Sequence, residues 1–289
     1  MNLACATLRH LLLLISLPLL LLAPPSGQAQ DAEKEEAPAY NDLVARTFLI
    51  EVEPLVEKHT GWDCEWPVAF QLVNRTQYVE ESIADAAKEF TKFSPGTDLK
   101  TLGLHLRPLF EAQATGLLGR YSTTSRKIFF LPGNLKPMMR DLGIEHRFMR
   151  DLIEVIMAHE LTHYVQDSKY NFGKRLLTKR SKEENNAWMM LVEGHASWVQ
   201  ERVAEDLGLN ESAQSFAAQM LAKHQQDSAR GGEGMFEANM RGYTQGKVFV
   251  EAVHEKGGIK AVQRLFDDPP KSARVIEDPD LYLNQVKKQ

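Results

Sequence analysis

Two imidazoles stand four residues apart in Val155-Ile156-Met157-Ala158-His159-Glu160-Leu161-Thr162-His163, with a carboxylate directly after the first. In an α-helix, positions i and i+4 lie one above the other on the same face, so His159 and His163 can reach one ion at about 2.0–2.1 Å each. Glu160 then sits beside that ion without ligating it, placed to take a proton from a water the ion activates. This division of labour is the one the His-Glu-x-x-His pattern supplies in metal-dependent peptide hydrolysis.

The chemistry requires a helix, and the surrounding residues provide one. Phe148, Leu152, Val155 and Ile156 repeat at spacings of three and four, which predicts an amphipathic helix over residues 147–169. Asp151 and Glu154 suit the positive end of its dipole, and no Pro or Gly interrupts the stretch. A second long helix is predicted over 182–207, ending at Gly208. It carries Leu191-Val192-Glu193-Gly194-His195-Ala196.

A catalytic zinc takes three protein ligands and leaves a fourth position for water. Asp167, Glu193 and His195 are the candidates for the third. Asp167 extends the face of His159 and His163, but three successive turns of one rigid helix converge poorly on one small ion. Glu193 lies among Met189, Met190, Val192 and Ala196, where a carboxylate needs a partner. Metal would be that partner, so Glu193 is the expected ligand, with Gly194 and Ala196 removing bulk to let the two metal helices approach. His195 points to another face and is expected as a packed residue or as support to a ligand. Both Asp167 and His195 stay open as contributors.

The first 29 residues read as a secretory signal: Arg9, a Leu-rich run over 11–22, then small residues at Gly27 and Ala29. The run is too short to span a bilayer comfortably, so no transmembrane anchor is expected in the mature form, and a secreted or periplasmic location follows. Residues 30–40, rich in Glu and Ala, read as a flexible leader. The remaining residues, 41–289, are long enough for one sizeable core without staples. That matters because Cys5 leaves with the signal and Cys64 has no internal partner, so it is expected as a buried small residue. A net charge of −5 with no clustered basic face excludes a nucleic-acid surface.

Elsewhere the pattern predicts helix over 43–58 with a kink or break at Pro54, a β-rich run over 67–73 and helix over 79–93 stopped by Ser94-Pro95-Gly96. A hairpin is expected from strands at 117–121 and 127–131. Helix over 246–256, a Gly257-Gly258 break, helix through Phe266 and an irregular Pro-rich tail complete the chain. The fold class is α+β, predominantly α, with a small sheet beside the active-site helix. Tyr164 and Trp198 read as core aromatics.

Taken together, these residues resemble the gluzincin metallopeptidases, in which a Glu on a second helix downstream completes the site. More narrowly, the chain is similar to a group of secreted bacterial proteins with His-Glu-Leu-Thr-His followed by Gln-Asp, a later Glu-Gly-x-Ala and a Tyr-x-x-Gly-x-x-Phe-Val stretch. The matches are His159 to His163 with Gln166-Asp167, then Glu193-Gly194-His195-Ala196, then Tyr243-Thr244-Gln245-Gly246-Lys247-Val248-Phe249-Val250. They span roughly residues 121–282, and the chain departs from the pattern at Asp278-Pro279, where such proteins have His-Pro.

The resemblance implies a single zincin-like domain holding one zinc ion on His159, His163 and Glu193, Glu160 as base and a peptide or protein substrate. It also implies Tyr243 as the oxyanion donor, with His224 and His254 as weaker candidates. Strand 127–131 is then expected as the sheet edge that pairs with substrate, and Asp167 is expected either to orient a ligand His or, equally, to be an exposed or helix-capping residue. The rival expectation is a non-catalytic secreted binding or scaffold protein with a metal-stabilised or metal-free helical fold.

Overall fold

Polar caps set where the principal helices begin. A computed structural model describes residues 42–65, 67–172, 181–209 and 242–286; the signal and leader expected before residue 41, and His224, lie outside these. In chain order the elements are α1 (Asp42–Thr60), β1 (Ala69–Leu72), α2 (Arg75–Phe93), α3 (Leu99–Gly116), β2 (Gly119–Ser122), β3 (Lys127–Phe130), α4 (Leu135–Leu142), α5 (Met149–Tyr170), α6 (Lys182–Asp206), a π-turn (Gly242–Gly246), α7 (Lys247–Asp267), α8 (Ala273–Glu277) and α9 (Pro279–Val286). The class is α+β and predominantly α, as expected from the sequence.

At the head of α6 the Ser181 hydroxyl accepts from Glu184 N–H, and the Glu184 carboxylate accepts from Ser181 N–H. Asn74 and Gln77 make the same reciprocal pair at the head of α2. Each box satisfies two backbone donors that a helix start otherwise leaves without partners.

The described residues group into two compact units, one of residues 67–149 with the chain up to 47, the other of 48–66 with everything from 150 on. The first holds a three-stranded sheet in the order β1-β3-β2, with β1 parallel and β2 antiparallel to β3. Strand β3 is therefore central, and the expectation that residues 127–131 form a free edge is corrected. Ile128, Phe129 and Phe130 are fully buried; an apolar run of this kind belongs in the middle of a sheet, because both of its faces are covered. The buried Arg120 of β2 donates to Tyr78 Oη (3.1 Å) and Ser82 Oγ (2.9 Å) on α2. Asp85 of α2 accepts from Ser122 Oγ (2.5 Å) and Ser125 Oγ (2.9 Å), which pins the hairpin to the helix.

The second unit is helical. Residues 152–167 of α5 are buried without interruption, so α5 is a central helix buried on all sides rather than the amphipathic helix that Phe148, Leu152, Val155 and Ile156 predicted. Its polar members find partners inside: Thr162 Oγ1 donates to Ala158 O (2.7 Å), and Glu154 accepts from Arg150 Nε (2.7 Å). Tyr164 and Trp198 are core aromatics as expected. Two expectations change: helix α1 runs through Pro54 to Thr60 with the ring on an exposed position, and the tail forms two short helices. The break expected at Gly257-Gly258 falls at Gly258 (φ 63°, ψ −166°).

One close approach organises this unit. A Cβ on Gly194 would lie 2.1 Å from Gly246 C, and one on Gly246 would lie 2.0 Å from Met190 O. Backbone thus packs directly on backbone, which only glycine permits. Gly194 serves the π-turn, not the meeting of the two metal helices that the sequence suggested for it. We expect Gly194→Ala and Gly246→Ala each to destabilise the protein by about 3 kcal/mol in urea unfolding. Gly133→Ala, where a new methyl meets nothing within 4 Å, should change stability by less than about 0.5 kcal/mol. Equal stability of all three variants would refute the packing argument.

Candidate metal centre

Two helices and the π-turn supply the site. The i, i+4 spacing on α5 brings His159 Nε2 and His163 Nε2 within 3.0 Å. Opposite them on α6, Glu193 Oε2 lies 3.4 Å from His159 Nε2 and 3.5 Å from His163 Nε2. All three side chains are buried, and together they form a group that can hold a metal ion. Of the three expected ligands, the structure brings together all three.

The arrangement can be tested against zinc. Ligand atoms at 2.0–2.1 Å in a tetrahedron are separated from each other by about 3.3 Å, and the observed triangle has edges of 3.0, 3.4 and 3.5 Å. Two nitrogens and one carboxylate oxygen are also a donor set zinc accepts. Glu193 Oε2 is buried and faces the two imidazole nitrogens. The residues fit the ion.

Electrostatics bind the group together even without metal. Burial disfavours the ionised Glu193, yet the charges and hydrogen bonds of His163 and His159 outweigh it and hold the carboxyl below its ordinary range. Burial likewise opposes the His163 imidazolium, but the Glu193 charge and hydrogen bond, then Glu160 and Gln166, carry its pKa upward. Glu160 is fully buried beside His159. Its charge reaches both His163 and Tyr243.

Tyr243 arrives from the π-turn. Its ring lies 5.8 Å from the His159 ring, and its buried hydroxyl is hydrogen-bonded to Glu193. Burial first, then the charges of Glu193 and Glu160, keep the phenol protonated well above its usual range. Gly242 packs at 3.1 Å from the Glu193 Cβ, as measured from where its own Cβ would stand. The same glycine contact that places the turn therefore places the tyrosine.

The remaining candidates fall away from the ion. Asp167 Oδ1 accepts from Phe172 N–H (2.6 Å), and its carbonyl accepts from Asn171 N–H, so it closes the end of α5. The residue bonded to a ligand imidazole is instead its neighbour Gln166, whose Oε1 lies 2.9 Å from His163 Nδ1. Gln166 Nε2 donates to Val192 O (3.1 Å) and lies 2.9 Å from His195 Nδ1. Sequence reasoning passed over Gln166, although its position three residues after His163, on the same helical face, was a readable signal.

His195 is fully buried in an aromatic enclosure, stacked with Trp198 and edge-on to Trp62 and Phe266. It is a packed support, and His254 likewise sits against Trp198 with ring centroids 4.7 Å apart. Cys64 is half-buried, and burial with the nearby Glu53, Glu57 and Glu65 pushes its thiol up to about 12, which makes it an inert residue.

No protein-family model and no curated protein matches the chain. Among solved structures it is similar to one from Chloroflexus aurantiacus described as "a putative hydrolase with a novel fold". The two share 20% identity with a TM-score of 0.60, over 97% of each chain. At that identity the similarity is one of fold.

His195 sets a pH dependence. Burial, with a smaller push from His163, takes its pKa down from 6.5 to about 3. The unfolded chain therefore binds this proton at pH values where the folded protein does not, and stability falls as pH drops from about 6.5 toward 3. In metal-free protein, wild type should lose about 1.4 kcal/mol per pH unit more than His195→Gln across that window. Parallel unfolding curves for the two proteins between pH 4.5 and 6 would contradict the assignment.

Proposed function

We propose that this chain is an exported zinc-dependent metallopeptidase of gluzincin type. The observation that carries this reading is a buried His159, His163 and Glu193 triangle of zinc-like dimensions, with the carboxylate of Glu160 adjacent to it. A structural zinc has four protein ligands and no use for a neighbouring general base; here three donors converge and an ionisable carboxylate stands beside them. The Leu-rich start of the sequence supports export. The word hydrolase in the description of the Chloroflexus aurantiacus protein agrees with the reaction type.

Zinc held by these three residues supplies a Lewis acid and an acidified water. Glu160 takes the proton of the attacking water and delivers it to the departing amine, a task suited to a carboxylate one residue from a ligand. Tyr243, kept protonated by its surroundings, donates its hydroxyl to the oxygen on which negative charge develops. Its interaction with Glu193 supports this role. The substrate of this reading is a peptide or protein.

Elemental analysis and a quenched-fluorescence peptide library test the reading together. Wild type should carry close to one zinc per chain; Glu193→Ala should lose it, and Glu160→Ala should keep it while its turnover falls by about 10²–10⁴-fold. Tyr243→Phe should lower kcat by about 10²–10³-fold with KM little changed. A wild type that takes up no zinc on reconstitution would eliminate the enzyme reading in favour of a secreted helical binding protein. Zinc retained with no hydrolysis across the library would favour a metal-stabilised scaffold.

A further inference from the structure

One backbone carbonyl fixes the hydrogen-bonding sense of an entire buried chain. Val192 O can only accept, so the group of Gln166 that lies 3.1 Å from it must be the amide nitrogen. The amide oxygen then faces His163 Nδ1 at 2.9 Å, and that nitrogen must carry the proton. In the neutral ring, the form a metal ion requires, the lone pair is then on Nε2, the atom turned toward His159 and Glu193. On the other side the same amide nitrogen lies 2.9 Å from His195 Nδ1, which must accept. The His195 proton therefore sits on Nε2, an atom with no hydrogen-bond partner inside the aromatic enclosure.

We propose that Gln166 is the positioning residue of the metal centre. A single amide holds His163 in the Nδ1–H tautomer that presents Nε2 to the ion, and it ties α5 to the backbone of α6 one residue before Glu193. Ligands from the two helices are thereby aligned by one side chain. The inference rests on the metal reading of the site, but its tautomer content concerns the metal-free protein and can be measured there.

A neutral His interconverts between tautomers unless a neighbour selects one, and the selection belongs to the group bonded to the nitrogen that does not face the metal. Gln166 is that group for His163. His195 completes the selection at one remove: its acceptor nitrogen and the Val192 carbonyl both take hydrogen from Nε2, which leaves the amide no alternative orientation.

The test uses purified full-length protein with two substitutions and two readouts. Long-range ¹H–¹⁵N correlations on metal-free protein report imidazole tautomers, with His163 and His195 assigned by difference against His163→Asn and His195→Gln. Competition with a chromogenic chelator reports zinc affinity. In wild type we expect His163 as Nδ1–H and His195 as Nε2–H. Gln166→Met removes all three contacts of the amide, so a neutral His163 should populate both tautomers and zinc should bind about 10–100-fold more weakly.

Gln166→Glu offers two acceptors in place of a donor and an acceptor. In this variant His163 should remain Nδ1–H while His195 should change to Nδ1–H, and zinc affinity should fall less than in Gln166→Met, because only the donor to Val192 O is lost and not the acceptor for His163. A merely structural glutamine would not produce that opposite behaviour of two histidines. His163 found as Nε2–H in wild type overturns the proposal. So does unchanged His163 in Gln166→Met, or equal affinity losses in the Met and Glu variants with no change of tautomer. Wild type that binds no zinc refutes the metal reading instead, and the tautomer measurements still return their own result on Gln166.

Discussion

Burial of carboxylate charge is the constraint on which the second unit depends. Glu193 and Glu160 lie in a helical interior with two imidazoles, and each ion moved out of water costs several kcal/mol unless partners return it. The His159 and His163 nitrogens return part of it to Glu193, within 3.4 and 3.5 Å. A divalent cation at the centre of that triangle returns far more, because opposite charges attract strongly where water is scarce. The burial of α5 from Leu152 to Asp167 follows from the same constraint. Only a helix with no solvent-facing side over this stretch can keep His159, Glu160, His163 and Gln166 dry at once.

Close approach of backbone is the second constraint. Tyr243 stands near Glu193 because the 242–246 turn lies against α6 with nothing between them but glycine. The turn is a π-turn, and such single turns inside helices mark places where one residue must be re-aimed. Here the displaced residue is the tyrosine, and α7 begins directly after Gly246 as an ordinary helix. Glycine at 194 weakens the interior of α6 by about 1 kcal/mol through backbone entropy, a cost the fold bears because any larger residue would push the turn away.

Much of the site could be read from the chain because helical spacing carries it. His159, Glu160 and His163 lie within one turn and a half, and their relation is set by local geometry alone. Glu193 could be read less directly, from an acidic residue in an apolar neighbourhood. What could not be read was the three-dimensional side of each element. Gly194 looked like relief for the contact of α6 with α5, yet it faces Gly246, 52 positions later in the chain. Strand β3 looked like an edge because its sequence neighbour β2 is its hairpin partner. Its other side is taken by β1, which lies far earlier in the chain and pairs in parallel. Asp167 could be read either as an orienter of a ligand His or as a helix cap; the helical phase gave the contact with His163 to Gln166 and left Asp167 to close the helix end.

The choice of an amide over a carboxylate at that place has a physical reason. A carboxylate bonded to His163 would add a third negative charge to an interior that already holds Glu160 and Glu193. It would also meet the Val192 carbonyl oxygen, 3.1 Å from the present amide nitrogen, as one acceptor facing another. An amide brings no charge and presents a donor on one side and an acceptor on the other. It can therefore orient an imidazole and grip the neighbouring helix simultaneously. The accompanying demand falls on His195, which must offer a lone pair and stay neutral. Its aromatic enclosure enforces that, since burial drives the imidazolium's pKa down to about 3. The packing of Trp62, Trp198 and Phe266 around His195 is thus connected, through one neutral side chain, to the nitrogen that faces the ion.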